Sequence, residues 1–193
     1  KEGLAFIWSN KRIRTVALWA AWTALVYGPL QLSVIVMVHQ IFHRGAGTIG
    51  LIFSAGGIGG IIGALIAPKV KQRIPFGPLL MIVIAIQAVA TFFEATALNL
   101  YTVAAMQLIQ QMGTPIWNVT QMSYRLSVIP DELQGRVNSC HRLLIFAAFP
   151  IGSAIGGALL EHTSPRVLIA FMAAGALAGV GAISFTELRR TYK

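Results

Sequence analysis

Six stretches without a charged residue, each long enough to cross a bilayer, dominate this chain: Thr15–Val38, Gly45–Pro68, Ile74–Phe93, Ala95–Tyr124, Leu143–Leu160 and Val167–Thr186. About 20 apolar residues, each rising 1.5 Å along a helix, cover a hydrocarbon core of ~30 Å. With short joints between them the six stretches use up nearly all of the 193 residues, so no extramembrane domain large enough for catalysis or binding fits. Composition agrees, since only 11% of the residues are charged, against about a quarter in a soluble domain. A soluble enzyme is excluded. Spanning backbone must satisfy its own polar groups, and the alternating pattern of a barrel strand is lacking, so the segments are read as helices.

On a soluble protein a net charge of +9 would suggest phosphate binding. Here the basic residues flank the apolar runs, which makes membrane lipid the expected surrounding and excludes nucleic acid as a partner. An even number of spans puts both termini on one side. That side holds Lys1, Lys11, Arg12, Arg14, Lys69, Lys71, Arg73, Arg125, Arg136, Arg142, Arg189, Arg190 and Lys193, and the other only Arg44 and Arg166. A division of 13 against 2 is the positive-inside pattern of cytoplasmic termini. The expected organisation is a cytoplasmic or interfacial segment over 1–12, a six-helix transmembrane unit over 13–187 and a cytoplasmic tail over 188–193. The start at Lys1, with no signal-peptide pattern after it, reads as a piece of a longer protein. Residues 2–8 are expected to lie along the interface.

Spans one to three and four to six repeat the same punctuation. Gly28-Pro29 falls deep in the first span and Gly113-Thr114-Pro115 deep in the fourth, where a missing backbone donor is expected to kink each helix. Spans two (Gly56, Gly57, Gly59, Gly60, Gly63) and five (Gly152, Ser153, Gly156, Gly157) carry small residues four apart, the spacing that lets membrane helices approach closely. Spans one and four cross in opposite directions. The pattern therefore predicts an all-α integral membrane fold of six transmembrane helices built as two inverted three-helix repeats, with a solute site where the interrupted helices meet.

A polar stripe marks that place. Gln107, Gln111, Thr114, Asn118, Gln121 and Arg125 follow spacings of 4, 3, 4, 3 and 4, which puts them on one helix face with Gln110 and Trp117 beside it. Amides facing lipid would go unsatisfied, so this face is read as a cavity wall; interhelical hydrogen bonding, worth about 0.6 kcal/mol per contact in membranes, is the competing reading. On the first span Trp19, Thr23, Tyr27 and Gln31 recur every four residues with Trp22 adjacent, a set suited to a bulky amphipathic or aromatic molecule. Trp19 suits an interfacial belt as well. Ionisable residues in spans are functional candidates, and they are few. Glu94 lies near the outer end of span three, where an interfacial solvated carboxylate competes with an ion-coupling role; Arg125, His141 and Arg142 lie near inner ends. His39, His43, His141 and His162 have no metal-ligand spacing, the single Cys140 forms no pair within the chain, and no cofactor is expected.

The order of these features resembles the C-terminal half, spans seven to twelve, of a major facilitator superfamily transporter. Pro130-Asp131-Glu132-Leu133-Gln134-Gly135-Arg136-Val137 is similar to the superfamily's loop before the eleventh span. Gly63 to Gly77 occupies the place of its loop signature between the second and third helices of a half, with Ala67 where an Asp is usual, which puts the usual charge relay in doubt. Ala148 through Gly157 resembles its glycine-rich antiporter motif, and Glu2-Gly3-Leu4 with Phe6-Ile7 is similar to bacterial exporters of the enterobactin and macrolide kind. The resemblance implies a secondary active transporter in a bacterial inner membrane, proton-coupled efflux of a small-molecule substrate, and dependence on a missing N-terminal six-helix half. Arg125, Asp131, Glu132 and Arg136 are expected to form a cytoplasmic gate, pairing with one another or with partners on the missing half. Uptake of a polar solute and a non-transporting structural role are the alternatives. An intramembrane hydrolase would need a nucleophile setting that Ser54 and Ser153 lack, and an aquaporin-type channel its paired Asn-Pro-Ala segments.

Overall fold

A computed structural model describes residues 2–185. They form α1 (Glu2–Ser9), α2 (Lys11–Tyr27), α3 (Leu30–Gln40), α4 (Ala46–Arg73), α5 (Phe76–Ala95), α6 (Leu100–Val128), α7 (Asp131–Leu160) and α8 (Pro165–Ser184), with no strand among the described residues. The last residues of the expected transmembrane unit, and the tail over 188–193, lie outside this range.

Among the described residues, five elements are long and apolar enough to cross a membrane, counting Lys11–Gln40 as one. The sixth span, α6, has 29 residues, about 43 Å of helix, and is more polar because it carries the amide stripe. The protein is a multi-pass membrane protein. Residues 2–8 fall within α1, which packs on α2 and α7; Asn10 then caps α2, its side-chain oxygen accepting from the amides of Arg12 and Ile13, both at 3.2 Å.

The expected kinks come out differently in the two repeats. In the first span the helix is interrupted at Gly28 and Pro29, whose dihedrals stay near the right-handed helical region. Pro29 leaves the Leu25 carbonyl without its helical donor, and the Ser153 hydroxyl donates to the next free carbonyl, that of Gly28, at 2.9 Å. The helix of α6 runs through Pro115 without interruption, and α5 braces the turn before it: the Gln87 amide donates to the Gln110 carbonyl at 2.8 Å. Gly113 makes the room, since a Cβ at that position would stand 2.9 Å from the Gln87 side chain.

The joints on the basic side are tight turns. The stretches 68–78 and 127–137 are mostly helix: α4 continues through Pro68 to Arg73, α7 begins at Asp131, and only Ile74–Pro75 and Ile129–Pro130 intervene. Charges favour these extensions. Lys71 and Arg73 fall in the last turn of α4, and Asp131 and Glu132 in the first turn of α7, each complementing the helix dipole.

Helix pairing follows the repeat. The main contacts are α4 with α6, α2 with α7, α5 with α8, α5 with α6, and α8 with α2 and α3. Exchanging α2–α3 with α6, α4 with α7 and α5 with α8 maps this set onto itself. Glycines make the two equivalent crossings. A Cβ on Gly59 or Gly63 of α4 would lie 2.1 Å from the carbonyl oxygen of Leu108 or Met112 on α6. On α7, a Cβ on Gly152 would lie 2.0 Å from the Leu25 oxygen and one on Gly156 2.1 Å from Pro29. Gly57 and Gly60 meet nothing within 4 Å and stand on the outer face of α4. We therefore expect Gly59→Val and Gly152→Val to destabilise the protein by about 1–3 kcal/mol through overpacking, with Gly57→Ala and Gly60→Ala close to neutral, as thermal unfolding in detergent would measure.

Candidate functional site

The faces of α2 and α6 that carry polar residues look at each other across a cavity of about 360 Å³. The α6 wall consists of Gln107, Gln110, Gln111, Thr114, Trp117 and Asn118; Ala20, Thr23 and Tyr27 of α2 and Gln31 of α3 stand opposite, and Phe53, Ile84, Gln87, Ile145 and Phe149 come from α4, α5 and α7. A 3.6-residue period combined with the glycine crossings turns these side chains inward. Seven of the ten residues expected in a cavity, Thr23, Tyr27, Gln31, Gln107, Gln111, Thr114 and Asn118, line this one.

The other three stand elsewhere. Trp19 is buried, with its ring edge-on to Trp117 at a centroid distance of 4.9 Å, so it backs the cavity wall instead of facing the space. Trp22 is on the far side of α2, where its indole N–H donates to the Gly175 carbonyl of α8 at 3.0 Å. Gln121 is buried along α6 beyond the cavity, and its side-chain nitrogen has no hydrogen-bond partner.

Gln87 is the residue that the sequence reading missed. It is the only amide in span three, and with Thr91 and Glu94 it follows spacings of 4 and 3, the same signal that marked α6. The lining carries no formal charge. Its amides, hydroxyls and aromatic rings offer hydrogen bonds and flat apolar surfaces, the Thr114 hydroxyl and Gln111 side chain already pairing at 3.3 Å.

Glu94 is enclosed and is not the solvated interfacial group that its depth suggested. It is 0% exposed, and among the described residues neither carboxylate oxygen has a hydrogen-bond partner of good geometry. The reason is packing, since α5 lies along both α6 and α8. Gln107 stands next to the carboxylate, and the Tyr27 side chain lies beside Thr91 and Glu94. Only one layer of side chains therefore separates it from the cavity.

The four residues expected to pair as a gate do not pair with one another. Arg125 is buried, its one hydrogen-bond partner among the described residues the Met122 sulfur at 3.5 Å, with His141 of α7 beside it, also buried. Asp131 accepts from the Gln134 amide at 2.8 Å, Glu132 is exposed in the first turn of α7, and Arg136 forms an ion pair with Glu2 of α1. The α7 helix that replaces the expected loop carries Arg136 away from Arg125.

No protein-family model matches the sequence, and no curated protein sequence matches it. A solved structure does: the crystal structure of a D-xylose-proton symporter superposes with a TM-score of 0.68 at 13% identity, over 90% of this chain and 48% of that one. The fold is like that of about half of this symporter. The chain spans about half the length of that symporter.

Position in the site separates bracing from solute contact. Replacing Gln87 with Leu leaves a buried carbonyl and loses the amide, so we expect a loss of about 1 kcal/mol in stability. Gln111→Ala, at the exposed cavity wall, should change stability by less than about 0.5 kcal/mol. Chemical unfolding of the purified variants in detergent reads both.

Proposed function

We propose that this chain is the C-terminal six-helix half of a secondary active transporter, exporting a small amphipathic or aromatic compound by proton-coupled alternating access. The observation that carries the reading is the uncharged, amide-rich and aromatic cavity between α2–α3 and α6, the interrupted and braced helices of two inverted repeats. Rocking of the half about this site against a companion opens it to either side in turn. The companion is a second six-helix unit, in the same polypeptide or separate. Its seat is the surface of α4 and α7, the least buried of the apolar spans, and the symporter's double length supports its existence. The unit extends over 13–187, after a linker over 1–12 and before a tail over 188–193, and sits in a bacterial inner membrane with both termini cytoplasmic, as the charge distribution supports.

Glu94 supplies the coupling site in this reading. A carboxylate shut away from water with no cation beside it is costly when ionised, so it holds a proton until Gln107 or Tyr27 shifts with the cavity. On the terminal side Arg125, Asp131, Glu132 and Arg136 serve as the gate, through partners on the companion instead of one another. Exposed pairs of this kind are worth about 0–1 kcal/mol each, weak enough to open in every cycle.

Uptake of a polar solute is the second reading, favoured by the amides of the cavity wall and by the likeness to a sugar symporter. Flux in vesicles carrying the complete transporter tests both. Gln111→Ala and Asn118→Ala are expected to change the relative rates of solutes at least tenfold, with assembly unchanged. Glu94→Gln is expected to abolish movement driven by a proton gradient and to spare movement down the solute's own gradient; wild-type proton coupling in that variant would remove Glu94 from the mechanism.

A further inference from the structure

At the inner end of α6 a group of buried donors goes without acceptors. The Nε and Nη1 of Arg125, the amide nitrogen of Gln121 and both ring nitrogens of His141 are shut away from solvent, with no hydrogen-bond partner among the described residues. Gln121 and Arg125 are four apart and share one face of α6, and His141 of α7 stands beside Arg125. The three residues are 3%, 8% and 2% exposed. Buried polar groups are nearly always satisfied, so orphans gathered in one place point to a bound water or ion.

Charge decides between the two. A guanidinium keeps its proton at any pH the protein meets, and burying it without a counter-charge is costly. The acids of the described residues do not supply one: Glu2 pairs with Arg136, Asp131 accepts from Gln134, Glu132 is exposed, and Glu94 and Glu161 stand toward the opposite side of the membrane. Further cations surround the group, Arg12 near the Tyr124 hydroxyl and Arg142 with its guanidinium 5.6 Å from the Phe146 ring. A water would satisfy the donors and leave the charge; a monovalent anion answers both. Arg125 and Gln121 offer N–H groups, and His141 offers one in either neutral tautomer. Their enclosure favours a compact anion over a phosphate ester, whose bulk and second charge ask for more. We infer that Gln121, Arg125 and His141 form a binding site for a small monovalent anion of the chloride class.

The inference stands without the transport reading, because it concerns the partner of Arg125 inside this half and is tested without flux. Chloride itself is the probe. The linewidth of its NMR signal is followed as chloride is added to the full chain in uncharged detergent, with gluconate holding the ionic strength constant. Saturable broadening that bromide reverses is expected. Gln121→Leu, which keeps the charge, should weaken binding at least fivefold, the factor for ~1 kcal/mol of one hydrogen bond, and Arg125→Gln should abolish it. Arg142→Gln, which removes a neighbouring cation outside the group, should change the Kd by less than twofold. Broadening that never saturates, a Kd that Gln121→Leu leaves unchanged, or equal losses in Arg142→Gln and Arg125→Gln would overturn the site.

Discussion

Where Gly59 and Gly63 meet the carbonyls of Leu108 and Met112, and Gly152 meets that of Leu25, helix backbones touch with no side chain between them, and next to the last of these Gly156 receives the ring of Pro29. Lipid gives little hydrophobic reason for helices to associate, so packing at this range has to hold the bundle. Everything else in the fold follows from these two crossings. They set the register of α4 on α6 and of α7 on the broken first span, and so turn the stripe of α6 toward Thr23 and Tyr27. Because the crossings are equivalent under the exchange of repeats, the cavity lies between the two three-helix units.

The electrostatics of the half are arranged around that cavity. Its lining is neutral, while the buried ionisable groups stand beyond its two ends: Glu94 beside Gln107, and Arg125 eighteen positions farther along the same helix. At 1.5 Å per residue this is about 27 Å, most of the hydrocarbon thickness. A carboxyl at one end and a guanidinium at the other cannot neutralise each other over that distance. Each therefore responds to what happens on its own side, as the proposed alternating access requires.

Much of this was legible in the sequence because the membrane imposes strong rules. Uncharged runs marked the spans, the small residues of spans two and five marked the crossings, and the 4-3-4-3-4 spacing marked the wall. Direction around a helix was harder to read where two faces are both apolar. Trp22 lies next to Thr23 in sequence and on the opposite side in space, because α8 draws its indole N–H to Gly175. Glu94 looked interfacial from its depth, yet burial depends on α6 and α8, which one span's sequence does not reveal. The acidic segment after Pro130 resembled a loop, and Asp131 and Glu132, which complement a helix dipole in the first turn, instead begin α7.

The central claim is that the α6 stripe forms a wetted wall reached from each side of the membrane in turn. With Cys140 replaced by Ser, Gln111→Cys and Asn118→Cys can be probed with an impermeant thiol reagent in right-side-out and inside-out vesicles carrying the complete transporter. The account predicts labelling of both positions from both sides. Protection from both sides, as for a stripe that only packs against neighbouring helices, or labelling from one side alone, would contradict it.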